Sequence, residues 1–127
     1  MTESFTISLP LPGGLLSPNY RPGSHGSRMA QAAATKKYRR LARLAVEEVK
    51  LDSIPWGKCT VKAEFFHSTK RRRDPDNATG SLKPAYDGIV DAGVVLDDDW
   101  EHMEREKPLL YYDMLWPRVQ LTVERVE

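Results

Sequence analysis

The sequence predicts an α+β fold, a small mixed β-sheet with two helices, in a single domain over residues 1–127. Three observations carry that expectation. Segments near both ends alternate apolar and polar residues, the period of a half-buried strand. Two internal segments repeat apolar residues at three and four positions, the period of a helix. Clusters of glycine and proline separate the two kinds of segment. With 40% hydrophobic and 29% charged residues, the composition is that of an ordinary globular domain.

The elements follow in order. Phe5-Thr-Ile-Ser-Leu9 alternates and reads as a strand, ended by Pro10-Leu-Pro-Gly-Gly14. Ser17 to Ser27 is poor in apolar residues and reads as a mobile loop carrying Arg21 and His25, with Arg28 just beyond, all three near enough to touch a ligand. A helix is expected from Met29 to Lys50, with Tyr38, Leu41, Ala42, Ala45, Val46 and Val49 as its apolar stripe. Asp52 to Gly57 connects it to a strand over Thr60–His67, where Val61, Ala63 and Phe65 share a face. The charged run Lys70 to Asp76 reads as a loop. A second helix is best defined from Ser81 to Ala92, through Leu82, Ala85, Tyr86, Ile89 and Val90, with Gly93 as its C′ cap and an earlier turn from Asn77 as an alternative. Glu101 to Leu110 reads as an uneven strand, and Pro117 to Glu124 closes the chain with Val119, Leu121 and Val123 alternating. For Trp100, Tyr111, Tyr112 and Trp116, core packing is the first expectation, ahead of dimerisation or wedging into DNA.

Several classes are excluded. A lone cysteine, Cys59, allows no intramolecular disulfide and no Cys-rich zinc site. The apolar runs are too short for a bilayer, and the first residues lack a basic stretch followed by an apolar one. The expected setting is therefore the cytoplasm, with no membrane partner. The net charge of +1 conceals an asymmetry. Arg21 to Arg73 holds 14 Lys and Arg against 4 Asp and Glu, a surplus of ten cations; Asp74 to Glu127 holds 5 against 13, a surplus of eight anions. A basic half attracts phosphates, and an acidic cluster attracts cations.

The acidic half is organised. Asp74-Pro-Asp76-Asn77 spaces two carboxylates by two residues, which in an extended segment puts them on one face, where they repel unless a cation bridges them. Mg²⁺ takes such hard oxygen ligands. A calcium EF-hand does not fit, because counting from Asp74 puts Ala78, Thr79 and Ala85 where an oxygen ligand, a glycine and a glutamate are needed. A helix N-cap role for Asp76 or Asn77 remains open beside metal binding. Lys83, Asp87 and Asp91 are spaced by four on one polar helical face, Asp91 there as a solvated charge. The turn Asp97-Asp98-Asp99 would return toward the first pair, as convergence on a divalent cation requires. Arg71, Arg72 and Arg73, with Lys70, abut the acidic pair and are expected on phosphates. Lys36, Lys37 and Arg40, with Arg39 and Arg43, form a second basic stretch.

Arg71-Arg-Arg-Asp-Pro-Asp-Asn77, Leu82-Lys-Pro-Ala-Tyr-Asp87 and Asp91-Ala-Gly-Val-Val-Leu-Asp-Asp98 together resemble the RusA family of Holliday junction resolvases, particularly its phage-type members. The family pattern is basic residues, Asp-x-Asp-Asn, a helix bearing lysine and aspartate, then Ala-Gly, apolar residues and Asp-Asp. The resemblance implies a compact homodimer that cuts four-way DNA junctions with Mg²⁺, or Mn²⁺ as a substitute. It also implies a metal site of Asp74, Asp76 and Asp98, with Lys83 as a fourth catalytic group and Asp87 and Asp97 in secondary roles. The gap from Asp76 to Lys83 is longer than in the shortest members, and the extra Asp99 leaves open which of the triplet takes the metal.

Overall fold

The computed structural model describes residues 3–126. Its elements are β1 (Ser4–Leu9), a 3-10 turn (Gly14–Leu16), α1 (His25–Glu47), β2 (Cys59–His67), α2 (Pro75–Gly80), α3 (Lys83–Asp91), β3 (Met103–Arg105), β4 (Leu109–Tyr112) and β5 (Arg118–Arg125). The fold is mixed α+β, as expected. β5 lies between β1 and β2, antiparallel to both, while β3 and then β4 run parallel to β2 along its other edge.

Strand alternation becomes a layered core through the register. Phe5, Val123 and Val61 form one row across β1, β5 and β2; Ile7, Leu121 and Ala63 form the next; Leu9, Val119 and Phe65 the third. All nine are buried. The residues between them, such as Thr6, Thr122 and Lys62, face the other side. Tyr38, Ala42 and Val46 of α1 and Ala85, Tyr86 and Ile89 of α3 join the same core, so both helices cover one face of the sheet. Burying each large aliphatic side chain contributes about 1.5–3 kcal/mol.

The two helices touch at Gly88. A Cβ there would lie 2.4 Å from the Arg39 carbonyl oxygen and 2.7 Å from the Ala42 Cβ, so only glycine permits this approach. Beside the contact, Arg39 donates to both carboxylate oxygens of Asp91, at 2.5 and 2.8 Å. Asp91 is exposed, as expected of a solvated charge, and is in addition an interhelical partner.

Other boundaries moved for local reasons. The first helix begins at His25, because Ser24 and Ser27 close a reciprocal capping box. His25 and Arg28 therefore sit in α1, and the preceding loop is shorter than expected. The helix stops at Glu47, and Lys50 takes a positive φ of 58°, so Val49 leaves the stripe exposed. The second helix is broken at Ser81–Leu82 into α2 and α3, and the earlier turn is real, starting at Pro75. Gly93 follows α3 with φ 89°, as a C′ residue should. The single strand expected over Glu101 to Leu110 is two, separated at Glu106 to Pro108, where proline has no N–H to offer a ladder. Trp100, Tyr111, Tyr112 and Trp116 are exposed, against the core packing expected of them.

Candidate functional site

The acidic motif is built on the start of α2. Asp74 is the N-cap: its Oδ1 accepts the Asp76 N–H at 3.0 Å, and Pro75 occupies the first turn, where its missing N–H costs nothing. The cap is Asp74, not Asp76 or Asn77. Asp76 therefore lies inside a helical turn, and the extended-segment spacing does not apply to the pair. Asn77 is fixed differently, its Oδ1 accepting from the Ser17 hydroxyl at 3.0 Å. Asp76 precedes Thr79 and Gly80 by three and four residues, the spacing of one helical face.

That face borders the second part of the site. Thr79, Gly80, Lys83, Tyr86, Asp98 and Arg105 line a hollow of about 410 Å³. In its wall Lys83 Nζ donates to Asp98 Oδ2 at 2.5 Å and to Asp87 Oδ1 at 2.9 Å. Arg105, from β3, donates to the Asp98 carbonyl at 2.7 Å and to Oδ2 at 3.1 Å, with its guanidinium 4.5 Å from the Tyr86 ring centroid. Burial would raise the Asp98 carboxyl, but the Lys83 hydrogen bond and the charges of Lys83 and Arg105 outweigh it, holding it below the ordinary carboxylate range. Hydrogen bonds to Asp98 and Asp87 raise Lys83 in turn.

The triplet is divided by its hydrogen bonds. Asp99 Oδ1 accepts from the backbone of Glu101 and His102 and meets His102 Nδ1 at 2.6 Å, so it closes its own turn. Asp97 Oδ1 accepts the Asp98 N–H at 2.7 Å. Asp98 alone of the three turns to Lys83. Arg105 is the residue that sequence reasoning missed, since nothing in the uneven charges of Glu101 to Lys107 marks the one that folds back on Asp98.

On the other side of α2, Asp74 and Asn77 border a larger hollow of about 650 Å³ with Arg71, Arg72 and Arg73 at its edge. Asp74 and Asp98 thus line different hollows. Among the described residues no three acidic, imidazole or thiol groups converge on one point. The donor chemistry does suit a hard cation: neither Asp76 oxygen, nor Asp74 Oδ2, nor Asp98 Oδ1 accepts a hydrogen bond within the described residues.

The remaining basic residues split in two. Lys36, Lys37 and Arg40 are exposed on α1 without an ion pair among the described residues, while Arg39 and Arg43 are engaged by Asp91 and Glu47. Lys70 is exposed with its ammonium 5.0 Å from the Tyr112 ring centroid. Among the described residues, no helix is long and apolar enough to cross a membrane. No protein-family model matches the chain, and no curated protein matches it.

Proposed function

We propose that the chain is a Mg²⁺-dependent, structure-specific DNA endonuclease of the RusA type, resolving Holliday junctions as a homodimer in cytoplasmic recombination and repair. One observation carries the reading. Lys83 bonds Asp87 and Asp98 together, at the spacings that carry the family resemblance. A lysine and two carboxylates distant in the chain then meet, and the short helix that carries the Asp-x-Asp motif lends Thr79 and Gly80 to the same hollow, which supports a shared chemical role.

Asp74, Asp76 and Asp98 would hold the cation only once drawn together, since among the described residues no three such groups converge and Asp74 and Asp98 line different hollows. When bound, Mg²⁺ or Mn²⁺ supplies a water of lowered pKa and polarises the phosphate. Lys83 would neutralise charge developing on the scissile phosphate, and Arg105 would fix the Asp98 carboxylate. Arg71 to Arg73 and Lys70, with Lys36, Lys37 and Arg40, would take neighbouring phosphates. A two-fold dimer would present two such sites to a junction of matching symmetry.

The test is cleavage of a synthetic four-way junction with Mg²⁺ or with EDTA, beside fork and linear duplex. Paired nicks that need the metal are expected on the junction, and Asp76→Asn should lower their rate about 10³-fold or more while still binding DNA. Normal Mg²⁺-dependent cutting by that variant would remove the site. Preference for forks or flaps would make the enzyme a nuclease of other branches. A second reading is a DNA-binding module without catalysis, favoured by the neutralisation of Asp98 by Lys83 and Arg105. Tight junction binding in EDTA with no cutting under either metal would establish it.

A further inference from the structure

The hollow beside Arg71 to Arg73 is more than a phosphate contact requires. The apolar part of its floor comes from Leu11 after β1 and from the edge of the almost fully buried Phe65 in β2, amid a lining that is otherwise largely polar. The His67 ring stacks on Phe65, with centroids 5.9 Å apart and planes within 9°. In the wall, His67 Nε2 and Arg73 Nε are buried without a hydrogen-bond partner among the described residues. Burial first, then the charges of Arg73 and Arg71, lower the His67 pKa, so the imidazole is neutral at neutral pH. At the rim, Arg71 and Arg72 are exposed and make no ion pair among the described residues. A bare phosphate would satisfy the arginines and leave the apolar floor wet. A purely apolar ligand would do the reverse. The volume, about 650 Å³, falls in the range of small-molecule pockets.

We propose that this hollow receives one unstacked nucleotide of the DNA, its base over the Leu11 and Phe65 floor and its phosphate on Arg71 and Arg72. The inference rests on the DNA reading above and adds a base-capture step to it. Asp74 and Asn77 border the same hollow, so the captured nucleotide lies next to the acidic motif and orients the strand that is to be cut. Unstacking costs least where continuous stacking is already interrupted, as it is at the centre of an open four-way junction.

Gly14 lines the hollow, and a Cβ built on it meets no heavy atom within 4 Å, so Gly14→Phe can obstruct the space without a backbone clash. The experiment places 2-aminopurine at positions flanking the branch of a four-way junction, and at the centre of a short single strand. Binding by anisotropy and base emission are both measured in EDTA with the full chain. Emission at one position beside the branch is expected to rise about threefold on binding, and Gly14→Phe should lose most of that rise while keeping the wild-type melting temperature. Junction binding with unchanged emission at every flanking position would overturn base capture and leave the nuclease reading in place. So would a full rise in the folded Gly14→Phe variant. Capture of the labelled single strand by a protein that neither binds nor cuts the junction would support the hollow and overturn the nuclease reading.

Discussion

The two sides of α2 carry the same kinds of charge and treat them in opposite ways. On the Asp98 side the charges that line the hollow are matched: Lys83 holds Asp87 and Asp98, and Arg105 holds Asp98 from a separate strand. On the Arg71 side Arg71 and Arg72 stand at the rim of an open hollow that Asp74 also borders, and they make no ion pair among the described residues. The matched side is arranged by the protein itself. The unmatched side leaves its cations open to an anion from outside, as the proposed nucleotide would be.

The contrast can be broken at several points. The largest effect is expected from Lys83→Met, which leaves Asp98 facing Arg105 alone; junction cleavage should fall about 10²–10³-fold while DNA binding changes little, as single-turnover rates and anisotropy would show. An equal loss of binding would make Lys83 a phosphate contact and erase the difference between the sides. Gly88→Ala, at the contact between α1 and α3, should destabilise the fold by about 1–3 kcal/mol, read as a lower urea midpoint at unchanged slope. Arg71→Ala with Arg72→Ala should weaken DNA binding about tenfold and flatten the dependence of log K on log salt by about two units of slope. An unaltered slope would take both residues off the DNA.

The smallest effect concerns Asp91. Its hydrogen bond from Arg39 holds its carboxyl below the ordinary value of 3.8. A carboxyl lowered by folding stabilises the fold fully above that value and loses this as pH falls through the lower folded one. Asp91→Asn should therefore cost about 0.5–1 kcal/mol at neutral pH, in keeping with a largely solvent-exposed pair, and the gap to wild type should close below pH 3.8. A gap that persists into strong acid would assign the contact to packing rather than charge.

Much of this arrangement was legible in the residues. The alternation of Phe5 to Leu9, Val61 to Phe65 and Val119 to Val123 yields the three rows of the core, because a period of two in a half-buried strand leaves no other register that buries all nine. The α1 stripe held at Tyr38, Ala42 and Val46. Its start was hidden because capping by Ser24 and Ser27 leaves no apolar periodicity over His25 to Arg28. Asp74 was legible as an acid but not as a cap, since the charged run before it looks the same whether it ends in a loop or a helix. The pairing of Asp98 with Arg105 was out of reach altogether: it depends on β3 docking beside β2, a contact between segments that no local pattern encodes. The exposure of Tyr111 and Trp116 was equally hidden, because an aromatic residue reads as core until the sheet decides which face it takes.

The position of β2 has one more consequence. It is paired on both edges along nearly its whole length, by β5 on one side and by β3 and then β4 on the other. Its amides should therefore be among the last to exchange with deuterated solvent, opening only when the whole chain unfolds. The segment bearing Arg71 to Asp74 follows the end of that strand by a few residues, so the exposed arginines at the rim of the hollow are anchored to the part of the molecule that yields last.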